Sequence, residues 1–355
     1  MTFNRRHFLT SLAAAGAATV ALPQAAAARG LDKKTLIVDG LDTSTLNARY
    51  IEMLREGGVH CVHQSVGDAL HIGGVHHFIQ QNSDDLVLAR TVSDIYQAKK
   101  ADKIAMVLGR QGTQEFEEVL RKERHYRVLR STLDAYHALG LRVLMLAYNN
   151  NNIFGGGNLN PTSPLTRAGR VLVEEIHNTG IILDVGGHVG EQTSLDAIDL
   201  SDGVPVICSH TNMAALMPNV RAISDRLCEA IAKTGGVIGI TAISDFHTRG
   251  SNNYQQHGKL SPQATMEQHL DQYDYVKNLV GIDHVGLGPD FVCGWGDELE
   301  LETAGRLDWT TDMLSDGPIR LVEGYKDMSE IGNVIRGLKA RGWSKKELGK
   351  VLGGN

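Results

Sequence analysis

Eight times along this chain a short apolar, β-branched run gives way to a polar or glycine-rich turn and then to a segment with helical spacing. The runs are TLIVDG from Thr35, GVHCVH from Gly58, IAMVLG from Ile104, RVLMLAY from Arg142, IILDVG from Ile181, PVICSH from Pro205, GVIGIT from Gly236 and HVGLGPD from His284. Near-continuous apolar runs alternating with helices are what a parallel sheet, covered on both faces, requires. Between them, LTRAGRVLVEEIHNTG and ATMEQHLDQYDYVKNLVG space their apolar residues as helices do and end on glycine. Eight such units predict a closed (β/α)8 TIM barrel, an α/β fold whose chemistry sits at the carboxyl ends of the strands. A doubly wound open sheet would carry a glycine-rich phosphate turn after an early strand, and VDGLDTS is no G-x-G-x-x-G. NNNNIFGGGNLN, after the fourth run, is long for a minimal turn and reads either as an active-site loop or as a floppy connection.

A length of 355 residues suits one decorated barrel, and neither an internal repeat nor a linker marks a second domain. A net charge of -6 without long runs of one sign excludes an electrostatic footprint for nucleic acid or anionic lipid. Small molecules are the expected partners. Residues 1–28 stand apart: Arg5 and Arg6 precede Phe8 and Leu9, an Ala-rich stretch follows, and small residues lead up to Arg29. This order resembles a twin-arginine export signal, which implies a periplasmic protein with a single barrel over 29–355. No later window approaches the ~18 apolar residues of a membrane span. The four cysteines, Cys61, Cys208, Cys228 and Cys293, are too few to staple the fold and are expected as free, mostly buried thiols.

Just past the apolar runs stand His188 on the fifth, His210 on the sixth and Asp290 on the eighth. Two imidazoles and a carboxylate at one barrel mouth are metal-ligand types, and a carboxylate beside bound water can act as a general base.

The segments REGGV, HALGLRVLMLAYNNNN, PLTRAGRVLVEEIHNTGIILDVGGHVGEQTSLDAI, PVICSHTNMAALMPNVRAISDRLCEAIAKTGGVIGI, YVKNLVGIDHVGLGPDF and GWSKKELGKVLGGN resemble, in order and spacing, the membrane (renal-type) dipeptidases. These are zinc-dependent hydrolases of peptidase family M19, in the amidohydrolase barrel superfamily. The resemblance implies a site with two zinc ions, bridged by a glutamate after the third strand, one of them held by a D-G-H-x-D motif after the first. Here the motif reads Asp39-Gly40-Leu41-Asp42-Thr43, so Leu41 and Thr43 replace the histidine and aspartate, and Gln111 replaces the glutamate. Tyr148 stands where the family has a substrate-contacting histidine. His188 and His210, the pair for the second zinc, carry over with Asp290 and with Arg221, whose position is associated with the substrate carboxylate. DVGGHVGE is one residue longer than the family's approach to His188.

Two divalent ions a few Å apart need anionic ligands to offset their repulsion, and Leu41, Thr43 and Gln111 are neutral. The expectation is therefore one divalent metal, zinc first, and not a binuclear centre. His188, His210 and Asp290 would hold it, with Gln111 oxygen as a weak fourth ligand. His60, Cys61, His63 and Cys293 lie near enough in sequence to be considered as replacements, with packing as the ordinary reading of the second strand. Asp42 is expected to point away from the Leu41 and Thr43 face, and His247 and His257 to lie on a solvated loop. The leading functional expectation is a dipeptidase-like hydrolase of a small peptide or amide with a free carboxylate, with Asp290 and Tyr148 catalytic and Arg221 binding substrate. The alternatives are a non-hydrolytic relative acting as a periplasmic binding or maturation protein, and a different reaction on a remodelled site. Relatives often pair, so a homodimer is one oligomeric option.

Overall fold

The computed structural model describes residues 31, 34–248, 262–294 and 319–355. Nine parallel strands form one sheet: β1 Val38–Asp42, β2 Cys61–Ser65, β3 Leu86–Leu88, β4 Ile104–Gln111, β5 Leu141–Met145, β6 Ile182–Asp184, β7 Ile207–Thr211, β8 Val237–Ile240 and β9 Val285–Leu287. Their spatial order is β1-β2-β4-β5-β6-β7-β8-β9, with β3 attached only to β4. The two ends of the path meet: Asp290 N–H donates to Leu41 C=O at 3.0 Å and Thr43 N–H to Phe291 C=O at 2.9 Å. The (β/α)8 barrel read from the sequence is the fold, and its eight strands are the eight apolar runs.

The ninth strand was not legible as a run. Leu86–Leu88 is three residues long, and Val87 and Leu88 are only partly buried, so it lacks the continuous apolar signature of a strand covered on both faces. It leads into the helix Val92–Lys100, which lies across the amino-terminal end of the barrel. Lys99 Nζ bonds Thr35 C=O just before β1, and Arg142 at the start of β5 donates to Arg90 C=O at 2.8 Å. Ala98 of this helix packs with Cys61, Ala89 and Ala105 in a small apolar cluster separate from the main core. That cluster is the floor of the barrel.

Register decides which side chains enter the barrel. Cys61, His63 and Ser65 pair with Ala105, Val107 and Gly109, so these residues share one face with Gln111. The other face of β2 carries Gln64, which accepts from the Tyr50 hydroxyl at 2.9 Å on the outer helix Ala48–Glu56. His63, Ser65, Gly109 and Gln111 therefore point inward. Close packing needs glycine at Gly109 and, on β1, at Gly40. A Cβ on Gly40 would collide with the Leu287 carbonyl, and one on Gly109 with the His63 imidazole.

Gly40→Ala is expected to destabilise the fold by about 1–3 kcal/mol or more, since rigid backbone must give way. Gly73→Ala, in the helix Ala69–Gln81 where a Cβ meets nothing within 4 Å, is expected to add up to about 1 kcal/mol. Urea unfolding of the two variants beside the parent checks both signs.

Candidate active site at the barrel mouth

His210 lies within β7 and is fully buried. Ser209 N–H donates to the Asp184 carboxylate at 3.1 Å, and the Ser209 hydroxyl oxygen lies 2.8 Å from His210 Nδ1, where it can accept. A proton given from Nδ1 to that oxygen leaves Nε2 with a lone pair, and Nε2 has no partner among the described residues.

His188 stands four residues beyond the end of β6. Just before it, Gly187 has a φ of 67° in the left-handed region, where a side chain would strike Arg221 Nη1 and His210 C=O. His188 Nδ1 meets Asn149 Oδ1 at 2.5 Å, which again leaves Nε2 as the lone-pair nitrogen. Its ring stacks on Tyr148 with centroids 3.9 Å apart at 22°. Asn149 itself adopts φ 60°, a strained conformation that tertiary contacts must hold. The asparagine-rich stretch supplies those contacts: Asn149 and Asn158 N–H both reach His188 C=O, and Asn152 bonds Leu146 C=O at 2.7 Å. It is a packed scaffold for His188.

The His188 and His210 rings are 5.0 Å apart at 59°. Two imidazoles on one zinc, with Zn–N of about 2.0–2.1 Å, place their centroids about 5 Å apart. Burial first, then the Arg221 cation, pushes both histidines well below their ordinary pKa, so both are neutral ligands at neutral pH.

Asp290 follows β9 with φ 60°, a second strained non-glycine residue. Its Oδ2 is 3.9 Å from His210 Nε2 and 3.9 Å from Arg221 Nη2. Burial raises its pKa to about 6 against the pull of Arg221. Arg221 is 2% exposed, with its guanidinium 5.3 Å over the Phe246 ring and with Nε and Nη1 unpartnered among the described residues. Donors buried in that way are what a carboxylate satisfies.

The positions on β1 and β4 are occupied differently. Leu41 is fully buried but belongs to neither apolar cluster. Thr43 turns its hydroxyl to Phe291 C=O at 2.8 Å and so joins β1 to the segment after β9. Gln111 donates to Ser65 Oγ at 3.1 Å, and its buried Oε1 has no partner among the described residues. Asp42 stays off this face, as alternation requires, accepting from Ser44 N–H at 2.6 Å. Beside it, burial and then the Asp42 charge raise the Asp39 carboxyl well above the usual carboxylate range.

Of the replacement ligands, His60 accepts from Ile37 N–H at 3.1 Å near the floor, Cys61 belongs to the floor cluster, and Cys293 Sγ meets Lys326 C=O at 3.6 Å. Burial pushes the Cys61 and Cys293 thiols up to about 12, far from thiolate. All four cysteines are free, three of them buried. His63 does face the interior. Its Nδ1 donates to Gly40 C=O at 2.7 Å, and its buried Nε2 is unpartnered among the described residues.

Among the described residues, no three His, Cys, Asp or Glu side chains are gathered closely enough to hold a metal ion. The donor chemistry of His188, His210 and Asp290 nonetheless fits one divalent ion: two neutral imidazoles at the right separation and one carboxylate. Two ligands on a tetrahedral zinc are about 3.4 Å apart. The 3.9 Å from His210 Nε2 to Asp290 Oδ2 therefore requires a small closure of the aspartate.

The profile of the family Membrane dipeptidase (Peptidase family M19) matches residues 62–317. The chain belongs to this family. Family members are metal-dependent hydrolases of small peptides. Dipeptidase tcpJ of Claviceps purpurea is 28% identical over 276 residues, which cover 77% of this chain and 54% of that protein. The chain thus spans about half the length of that curated relative. Among solved structures, an amidohydrolase from Pseudomonas aeruginosa is 26% identical with a TM-score of 0.76, covering 90% of this chain and 94% of its own. A metallo peptidase from Rhodobacter sphaeroides, liganded with a phosphinate mimic of the dipeptide L-Ala-D-Ala, has 18% identity and a TM-score of 0.68 over 90% of this chain and 97% of its own. At that identity the second structure supports the fold.

One sequence expectation is corrected. His247 is not on a solvated loop: it is 3% exposed on the short helix Asp245–Thr248, donating through Nε2 to Thr241 C=O at 2.9 Å beside Asn212. The polar residues around it gave no apolar signal of burial. His257 lies outside the described residues.

Burial lowers the pKa of His247 from 6.5 to about 4. The unfolded chain therefore takes up a proton that the folded chain refuses, and this group's share of stability is lost as pH falls from 6.5 toward 4. The slope is about 1.4 kcal/mol per pH unit per histidine in that window. The melting temperature of His247→Asn should consequently fall less between pH 7 and pH 5 than that of the parent.

Proposed function

We propose that this chain is a dipeptidase-type hydrolase of a small peptide or related amide with a free carboxylate, working with one divalent ion, zinc first. The observation that carries this reading is the pair of Nε2 lone pairs on His188 and His210, each fixed by an Nδ1 contact to a neutral scaffold acceptor. His188, His210 and the Asp290 carboxylate would hold the ion. When bound, it supplies a Lewis acid and a more acidic water.

The chain's own groups divide the remaining work. Arg221, with two donors unpartnered among the described residues, pairs its planar fork with the substrate carboxylate. Asp290, ionised at neutral pH, accepts the proton of the attacking water. Tyr148 donates a hydrogen bond to the substrate oxygen on which charge builds, from a ring held in place against His188. A second ion is disfavoured because Leu41, Thr43 and Gln111 supply no negative charge where it would sit. The paired arginines Arg5 and Arg6 and the Ala-rich stretch after them support export to the periplasm.

A non-hydrolytic binding or accessory protein is the second reading. The 3.9 Å gap between His210 and Asp290 and the neutral β1 and β4 positions favour it.

Elemental analysis of protein purified without chelator separates the two. About one equivalent of metal, together with turnover of some member of a dipeptide panel, is the expected result; neither metal nor turnover would leave the binding protein. Asn149→Ala, which touches no substrate, should weaken metal affinity by about 10- to 100-fold by freeing the His188 ring. Arg221→Lys should raise KM far more than it lowers kcat, by roughly 100-fold, because an ammonium cannot reproduce the bidentate contact.

A further inference from the structure

Strand β1 gains one residue on its neighbour just where it reaches the barrel mouth. Asp39 pairs with Val62 and Asp42 with Gln64, so Gly40 and Leu41 together stand opposite the single residue His63 of β2. The extra residue is a β-bulge. It brings Asp39 and Asp42, three apart in sequence, to the same outer side of the strand, where their carboxyls share a hydrogen bond; strict alternation would have parted them. Bulges beside active sites re-aim the groups that follow.

Both bulged residues direct their carbonyls at groups of the site. Gly40 C=O accepts from His63 Nδ1 at 2.7 Å, and Leu41 C=O accepts from Asp290 N–H at 3.0 Å. Asp290 needs such support, because a φ of 60° in a non-glycine residue persists only where the surroundings enforce it. One side chain fixes the bulge in turn. Asp39, fully buried, accepts the Leu41 N–H through Oδ1 at 3.1 Å, so Leu41 is gripped at its nitrogen by Asp39 and at its oxygen by Asp290. Asp42 repeats the device further along: it accepts from Ser44 N–H at 2.6 Å, and the Ser44 hydroxyl accepts from Cys293 N–H at 3.0 Å. The outer carboxyls of β1 thus order the seam to the segment after β9.

An outer position gives Asp39 no access to substrate or metal. Burial first, and then the Asp42 charge, favour its neutral form, which can accept from Leu41 with one oxygen and donate to Asp42 with the other. We propose that Asp39 is a positioning residue for Asp290: through Leu41 its carboxyl sets the bulge, and the bulge sets the backbone from which the Asp290 carboxylate reaches the space between His210 and Arg221. The task of Asp290 rests on the dipeptidase reading; its placement by Asp39 does not.

Two variants of the full-length protein test this. Asp39→Leu removes the acceptor at similar volume, whereas Asp39→Asn keeps an acceptor for Leu41 and a donor for Asp42. Hydrogen exchange at the Leu41 and Asp290 amides is followed by mass spectrometry in metal-free protein, and zinc affinity is measured by calorimetry on the same samples. In Asp39→Leu both amides are expected to exchange at least about 10-fold faster while β5 and β7 keep the parent's rates, and zinc to bind about 10- to 100-fold more weakly. Asp39→Asn should restore both readouts to within about 3-fold of the parent. Unchanged exchange at Asp290 in Asp39→Leu overturns the proposal. So does an Asp39→Asn protein as impaired as Asp39→Leu, for then Asp39 acts through its charge; that variant decides by itself if Asp39→Leu does not fold. A parent protein that takes up no zinc overturns the hydrolase reading alone, since the exchange rates still judge Asp39.

Discussion

Each imidazole that faces the barrel mouth gives its Nδ1 proton to a neutral acceptor of the scaffold: His188 to Asn149, His210 to Ser209 and His63 to the Gly40 carbonyl. That single pattern decides the chemistry. A histidine so held keeps its Nε2 lone pair pointed away from the strand that carries it, and burial prevents a proton from taking that place. Without the pattern the chamber would present N–H donors or imidazolium ions beside Arg221, and a metal ion would find no partner there. Local strain serves the same end, since Asn149 and Asp290 both hold left-handed backbone conformations that only their surroundings can enforce.

Barrel closure explains what became of the first strand. Leu41 C=O and Thr43, through both its N–H and its hydroxyl, are bound to the segment after β9. The segment that carries ligands in the family here joins the two ends of the sheet. Asp39 and Asp42 lie on the outer side of β1, where burial above all raises both carboxyls, Asp42 to about 6. At the mouth itself Asp290 and Arg221 stand 3.9 Å apart as an opposed pair of charges. A pocket of that balance favours a ligand that brings its own pair of opposite charges.

Much of this was legible in the sequence. The eight barrel strands follow from apolar runs that only a doubly covered sheet explains, and His188, His210 and Asp290 stand where those runs end. Strand β3 and the helix beneath the barrel were not, because a three-residue edge strand has too little apolar length to register. The role of Gly109 was hidden for a different reason: making room for His63 is a contact between strands, and no spacing within one strand reports it. His63 read as ordinary packing for want of that knowledge. His247 read as solvated because its neighbours in sequence are polar, whereas its burial comes from Asn212 and His269, distant in the chain. The approach to His188 read as irregular in sequence; that its Gly187 lies against the Arg221 guanidinium was not legible there.

The measurement that bears most directly on this account is a long-range 15N–1H correlation spectrum of the histidine rings in uniformly labelled, metal-free protein, followed from pH 8 to pH 5. Neutral rings protonated at Nδ1 for His63, His188 and His210 throughout that range are the predicted result. Rings protonated at Nε2, or imidazolium signals for this trio at pH 7, would contradict it.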